Sequence, residues 1–232
     1  MGYIIGLTLI LAIYACAVIF IGRLRRVPLW NLILMITVVS FYLASVITIY
    51  KSVGFHDWNF QNTLPTANVS PFMFTLAPLT YLFPKSIRKH LYLLITLLSV
   101  GMILSPAFNC IYNYSISYAF HIHFFYDYIA HTALSLWGVY MLRSDQVELN
   151  VKNALISSSV IIGVAAVMMS LNVIFDKAFF GLSLNGKHSI YNNVFTDNSY
   201  LSALLYFTGL CGVLALGYGY SLLIRRLHRK EK

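Results

Sequence analysis

Acidic residues are scarce in this 232-residue chain, seven Asp and Glu against sixteen Lys and Arg, and all charged residues together make up 10% of it. A folded domain bathed in water carries about 25%, so a soluble domain of ordinary surface is excluded. Cysteine is sparse too. Cys16, Cys110 and Cys211 fit no metal-ligand spacing and no paired framework. Two of them lie in apolar runs, where a thiol behaves as a small hydrophobe, so the compartment is not legible from cysteine. The first apolar run lacks a basic leader and a small-residue cleavage site, and reads as a retained helix. Internal repeats and low-complexity segments are absent.

What the chain has instead is apolar length. It is 59% hydrophobic, with a mean hydropathy of +0.74, which places it in the membrane class. About 20 apolar residues cross the hydrocarbon layer as a helix. Seven such runs are legible, at about residues 3–22, 28–50, 65–83, 90–108, 118–142, 153–175 and 199–224. They leave no room for an extramembrane domain. The expected fold is all-α: a polytopic membrane bundle of seven transmembrane helices in one domain, 1–224, followed by a basic tail, 225–232.

The net charge of +9 is a topology signal rather than a nucleic-acid signature. Arg23, Arg25, Arg26, Lys85, Arg88, Lys89, Arg143, Lys152 and the tail's Arg225, Arg226, Arg229, Lys230 and Lys232 fall in alternate connections. Only Lys51, Lys177 and Lys187 fall in the others. By the positive-inside rule the N-terminus is outside and the tail cytoplasmic. Short loops and the lack of targeting signals favour a bacterial plasma membrane.

Residues 118–142 break the apolar pattern with His121, His123, Asp127 and His131. A central Asp in a span costs about 2.5–3.5 kcal/mol even on a lenient insertion scale, so ionisable groups there are functional candidates by default. Asp127 is the one acidic residue inside any predicted span. His123, Asp127 and His131 are spaced by four and share one helix face. At the same depth lie Asn68 and Ser70, early in the third span, and Asn172, near the outer end of the sixth. Pro71 cannot donate to the carbonyl of Ala67, which predicts a loose acceptor near Asn68. Together these predict an outer-side polar pocket walled by the third, fifth and sixth spans, with the loop 176–198 above it.

The competing reading is structural, because Asn, His and Asp also hydrogen-bond between helices to fix a bundle. His121 and His123 suit headgroup contact, and the tail suits anionic lipid. Thr208, Gly212, Ala215 and Gly219 form a small-residue face on the last span, expected to pack closely against a neighbour.

Asp127 and His131 at i and i+4 suit an oriented imidazole base that activates a hydroxyl or thiol, with Ser70 a candidate nucleophile. His123 with Asp127, or Asp127 with His131, could also chelate a metal. His123 and His131 are about 12 Å apart in rise, so all three cannot hold one ion, and the seventh span supplies no His. That disfavours zinc. It supplies no lysine either, which disfavours a retinal pigment. No cofactor and no metal are expected.

Leu64 to Leu79 (LPTANVSPFMFTLAPL), Phe125 to Leu142 (FYDYIAHTALSLWGVYML) and the Leu171–Asn172 pair resemble the YwaF-like integral membrane proteins, a group related to a eukaryotic membrane acyltransferase acting on phospholipids. The resemblance implies that His131 is a catalytic base. It also implies a cysteine near 65–70, where this chain has Val69 and Ser70. Either Ser70 substitutes, or Cys110 approaches from the fourth span, or acyl-enzyme chemistry is absent. The expectation is a pocket that binds or modifies a lipid or amphiphile, with His131 as base and Asp127 orienting it. His123, Asn68, Asn172 and Ser70 would contact the substrate, and membrane lipids would be the partners. The alternative is a transporter or receptor-like protein that uses the same stripe for a cation or protons.

Overall fold

The computed structural model describes residues 2–23, 28–53, 68–112, 122–144, 146–175, 179–181 and 199–229. Among them are seven α-helices and no strand. These are α1 (Gly2–Arg23), α2 (Pro28–Val53), α3 (Val69–Leu79), α4 (Lys85–Tyr112), α5 (Ile122–Arg143), α6 (Val151–Phe175) and α7 (Ser199–Arg229). Single 3-10 turns follow α3 and α6, at Thr80–Leu82 and Phe179–Gly181. Each predicted run is helical over most of its described residues; Asn68 and Phe83, at the two ends of the third, are extended. The tail is less separate than its charge suggests, because α7 continues through Arg225 to Arg229.

Four helices contain stretches long and apolar enough to cross a membrane: Leu29–Thr48, Lys85–Leu104, Val151–Phe175 and Tyr200–Leu227. Leu11–Ile21 and Val69–Leu82 are shorter apolar stretches. The expectation of seven spans is therefore carried by composition for four helices. α5 is not among them, because the polar residues that single it out also lower its hydropathy. Large apolar side chains such as Ile13, Ile47, Leu155, Ile174, Leu204 and Leu216 point outward, as they do on helices that face lipid rather than water.

α3 departs most from the sequence reading. It starts at Val69, where the Asn68 side chain accepts from the Val69 N–H at 2.9 Å with the backbone extended. Pro71 then stands in the first turn, where a missing N–H costs nothing because no carbonyl precedes it within the helix. The Asn68 carbonyl is taken by the Phe72 N–H at 3.2 Å. The acceptor expected to be loose is the Ala67 carbonyl, which lies outside the described residues. Eleven residues rise only about 16 Å, roughly half the hydrocarbon thickness.

α5 is the central element. It packs between α2 and α4 and also meets α1, α3 and α7. From Ala130 to Leu142 it is buried on nearly every side, with Leu134, Trp137 and Val139 fully enclosed. α4 in turn packs against α6 and α7, and Leu91 to Ser99 form an unbroken buried run. The helices approach closely where side chains are smallest. A Cβ added to Gly138 would stand 3.0 Å from the Thr96 Cα, and there the Thr96 hydroxyl donates across the interface to the Gly138 carbonyl at 3.2 Å. At Gly217 an added Cβ would meet the Leu97 carbonyl oxygen at 1.7 Å. This corrects the expected packing face of α7. Thr208, Gly212, Ala215 and Gly219 are exposed, with nothing within 4 Å of either glycine's Cβ position. The helix packs instead through Tyr206, Leu210, Leu214, Gly217 and Ser221.

One end of the bundle collects the basic residues. Arg143 donates to the Ile21 carbonyl at 2.7 Å, closing the end of α1. Arg88 reaches back from α4 to the carbonyls of Thr80 (3.1 Å), Tyr81 (3.0 Å) and Phe83 (2.8 Å), with its guanidinium 5.8 Å from the Tyr81 ring centre. Arg225 donates to the Leu149 carbonyl at 3.2 Å, and Lys89 lies 3.9 Å from Glu148. Arg143 and Arg88 satisfy carbonyls at or just beyond the C-terminal ends of α1 and α3 and complement the helix dipoles there. The contacts also bring the three basic connections and the end of α7 to the same side.

Candidate functional site

The centre of the site is one imidazole. His131 is 3% exposed. Its Nδ1 lies 2.8 Å from the Asp127 carbonyl oxygen and 3.3 Å from Asp127 Oδ1. A carbonyl only accepts, so Nδ1 carries the hydrogen and Nε2 of the neutral ring keeps a lone pair. That Nε2 is buried, and no described residue hydrogen-bonds it. The pair follows from helix geometry alone, since i and i+4 side chains stand over one another. The Asp127 side chain is about one quarter exposed, so the carboxylate stands at the rim and the imidazole lies deeper.

The walls are aromatic. The Phe74 ring meets His131 edge-on, at 4.8 Å between centres and 87° between planes. Tyr42 of α2 lies 5.0 Å from Phe74, and Phe41 packs 6.0 Å from Tyr126. α2, α3 and α5 therefore form the enclosure, with α3 its shortest wall. Ser70 is half-buried, one turn before Phe74 on the same side of α3. Asn68 is spent as the cap of α3.

Asn172 holds a different piece of structure. It is buried, and its amide pairs with the backbone of Phe179, donating to the carbonyl at 2.9 Å and accepting from the N–H at 2.6 Å. This clamp sets the turn in which Phe180 has φ 58° and ψ 21°. A bulky residue in that left-handed region costs roughly 1–2 kcal/mol. Phe180 is nevertheless fully buried, its ring 5.8 Å from that of Phe72 on α3. α6 thus reaches the surroundings of His131 through α3 and not directly, against the expectation that the sixth span is a wall. His123 lies in the first turns of α5, and its side chain is outside the described residues, as is His121. Cys110 stands near the end of α4, also without a described side chain.

One turn beyond His131, a buried polar chain joins three further helices to α5. Tyr14 Oη of α1 is 2.6 Å from Ser135 Oγ and 3.2 Å from Tyr220 Oη of α7, and Ser135 donates to the Ser99 carbonyl of α4 at 2.8 Å. Ser135 continues the Asp127–His131 spacing by four more residues, a signal that was available in the sequence. Phe74 and Tyr42 gave none, because any residue of those apolar runs would suit lipid equally well. Among the described residues no three His, Cys, Asp or Glu side chains are grouped to hold a metal ion.

This geometry offers a desolvated, oriented acceptor beside a carboxylate inside an apolar helical bundle. Comparison with family models finds a match to the TMEM164 family over residues 2–218. The chain belongs to the TMEM164 family. The match spans α1 to α6 whole and α7 as far as Tyr218, so every candidate residue lies within it. The TMEM164 family is a membrane protein family, in keeping with the outward apolar faces of these helices. Comparison with curated proteins and with solved structures gives no match.

Proposed function

We propose that this protein binds and modifies a lipid or other amphiphile in the pocket between α2, α3 and α5, with His131 as general base and Asp127 as its orienting partner. The observation that carries this reading is the His131 Nε2 atom, buried without a hydrogen-bond partner among the described residues. An unpaired buried acceptor costs about 1–3 kcal/mol, and such a cost persists where a ligand proton is the intended partner. Aromatic walls suit an apolar tail, and the carboxylate at the rim suits a polar head. The YwaF-like resemblance points to acyl transfer as the reaction. Ser70, one turn before Phe74, is the candidate nucleophile; Cys110 is the other. The distribution of basic residues supports an N-terminus outside and a cytoplasmic C-terminal end of α7, and the membrane is proposed to be a bacterial plasma membrane. His123 is proposed to meet the headgroup, while Asn68 and Asn172, expected beside it, are engaged in capping α3 and clamping Phe179.

The test is lipid profiling of cells that lack the protein and carry either the wild type or His131→Ala. One lipid class is expected to change on deletion and to be restored by wild type alone. With purified protein, the variant should lose about 10²-fold or more in rate, the usual contribution of a general base. An unchanged profile in cells that express the protein would sink the lipid reading.

A second reading has its own support, because no described nucleophile hydrogen-bonds His131 Nε2. In a transporter or receptor-like protein the Asp127–His131 pair would bind a cation or relay a proton. Proteoliposomes then show solute or proton flux that Asp127→Asn abolishes, without any lipid product.

A further inference from the structure

His131 Nε2 is buried and the Phe74 ring stands edge-on against the imidazole, so a ligand reaches it once a wall moves, and α3 is built to be that wall. It is the shortest of the seven helices, eleven residues long. Near its C-terminal end Pro78 stands inside the helix and cannot donate to the Phe74 carbonyl, which removes a rung of the ladder just where bending would occur. Beyond Pro78, Thr80 is fully buried with its hydroxyl on the Ala77 carbonyl at 2.6 Å. Arg88 then grips the carbonyls of Thr80, Tyr81 and Phe83. That end is held. Towards the other end, on the side away from His131, Phe72 packs against Phe180. Phe72 and Phe74 are two residues apart, so they project from nearly opposite sides of the helix. Phe180 keeps its left-handed backbone because Asn172 clamps Phe179 from α6.

We propose that α3 is a door over His131, hinged at Pro78 on the part anchored by Arg88 and latched shut by Phe180. The Asn172 clamp sets the latch, and release of Phe180 from Phe72 lets α3 swing and uncover the imidazole. Asn172, Phe180 and Pro78 are positioning residues in this scheme. It rests on the reading of His131 as the functional group, but its test does not depend on any lipid product.

The full chain, purified in detergent, is treated with diethyl pyrocarbonate, and carbethoxylation is followed residue by residue by mass spectrometry. His90 of α4 serves as an internal control, since its Nδ1 is also buried without a partner among the described residues but it lies two residues from Arg88. Phe180→Ala and Asn172→Ala are expected to speed modification of His131 by roughly tenfold, the change a displaced closed–open equilibrium gives, with His90 unaffected. Phe180→Leu, which keeps an apolar latch, should restore protection. Pro78→Ala, which returns the missing rung, should slow modification below the wild-type rate; this variant keeps the proposal testable if loss of Phe180 prevents folding. Equal acceleration at His90 and His131 would mean general loosening and overturns the door. So would unchanged reactivity of His131 in the Phe180 and Asn172 variants. A lipid change that requires His131 but is indifferent to Phe180 and Pro78 overturns the door alone and leaves the proposed function standing.

Discussion

His131 is held with one ring nitrogen satisfied and the other not. Its Nδ1–H is satisfied by the Asp127 carbonyl and its Nε2 by no described group. A side chain kept only for packing would do better as a hydrocarbon of similar size, because an apolar replacement removes the unsatisfied acceptor. His131→Leu is therefore expected to leave the thermal midpoint unchanged, or to raise stability by about 1 kcal/mol, while abolishing activity. Thermal unfolding in detergent decides this, and a large loss of stability would return His131 to a structural role. Asp127 and His131 were visible in the sequence because charge stands out in an apolar run. The engagement of Asn172 was not visible, since its partner Phe179 lies beyond a turn and is reached only once the backbone is placed.

At the scale of helices, periodicity located the elements but did not say which faces meet. Gly217 and Gly219 are two residues apart, so they lie on nearly opposite sides of α7, and both are small. Only the first touches α4. Gly217→Ala is expected to destabilise the bundle by about 1–3 kcal/mol or more through overpacking against the Leu97 carbonyl. Gly212→Ala and Gly219→Ala meet open space and should be neutral or gain up to about 1 kcal/mol from helix propensity. Thermal unfolding of the three variants side by side checks the assignment, and equal effects would refute it. α3 was misread for a related reason. Its apolar run is long enough to cross a membrane, but Asn68 starts the helix late and the chain leaves it at Thr80.

The whole molecule was legible where composition decides and illegible where packing does. Apolar length announced a helical membrane protein, and the spacing of basic residues announced that alternate connections share an end. The contacts of Lys89, Arg143 and Arg225 place those connections together. Single cysteines at Glu148 and Arg226, in a chain freed of Cys16, Cys110 and Cys211, are expected to react with a membrane-impermeant maleimide only after the cytoplasmic side is opened. A cysteine at Tyr200 should react in intact cells. Reaction of all three from one side would reject both the topology and the gathered basic end. The centrality of α5 could not be foreseen from hydropathy, because its enclosure by other helices, not by lipid, is what permits its polarity.

That enclosure bears on how the protein is made. α5 packs between α2 and α4, which precede it in the chain. A ribosome that has delivered the first four helices has therefore built a groove with nothing yet to fill it, and Trp137 and its neighbours are still to come. The polar fifth helix, poorly suited to leave the translocon for bare lipid, finds in that groove the one place where Asp127 and His131 are tolerated. The order of the chain thus sets α2 and α4 in place before the helix they enclose, and a chain that stops before Ile122 lacks the helix that fills their groove.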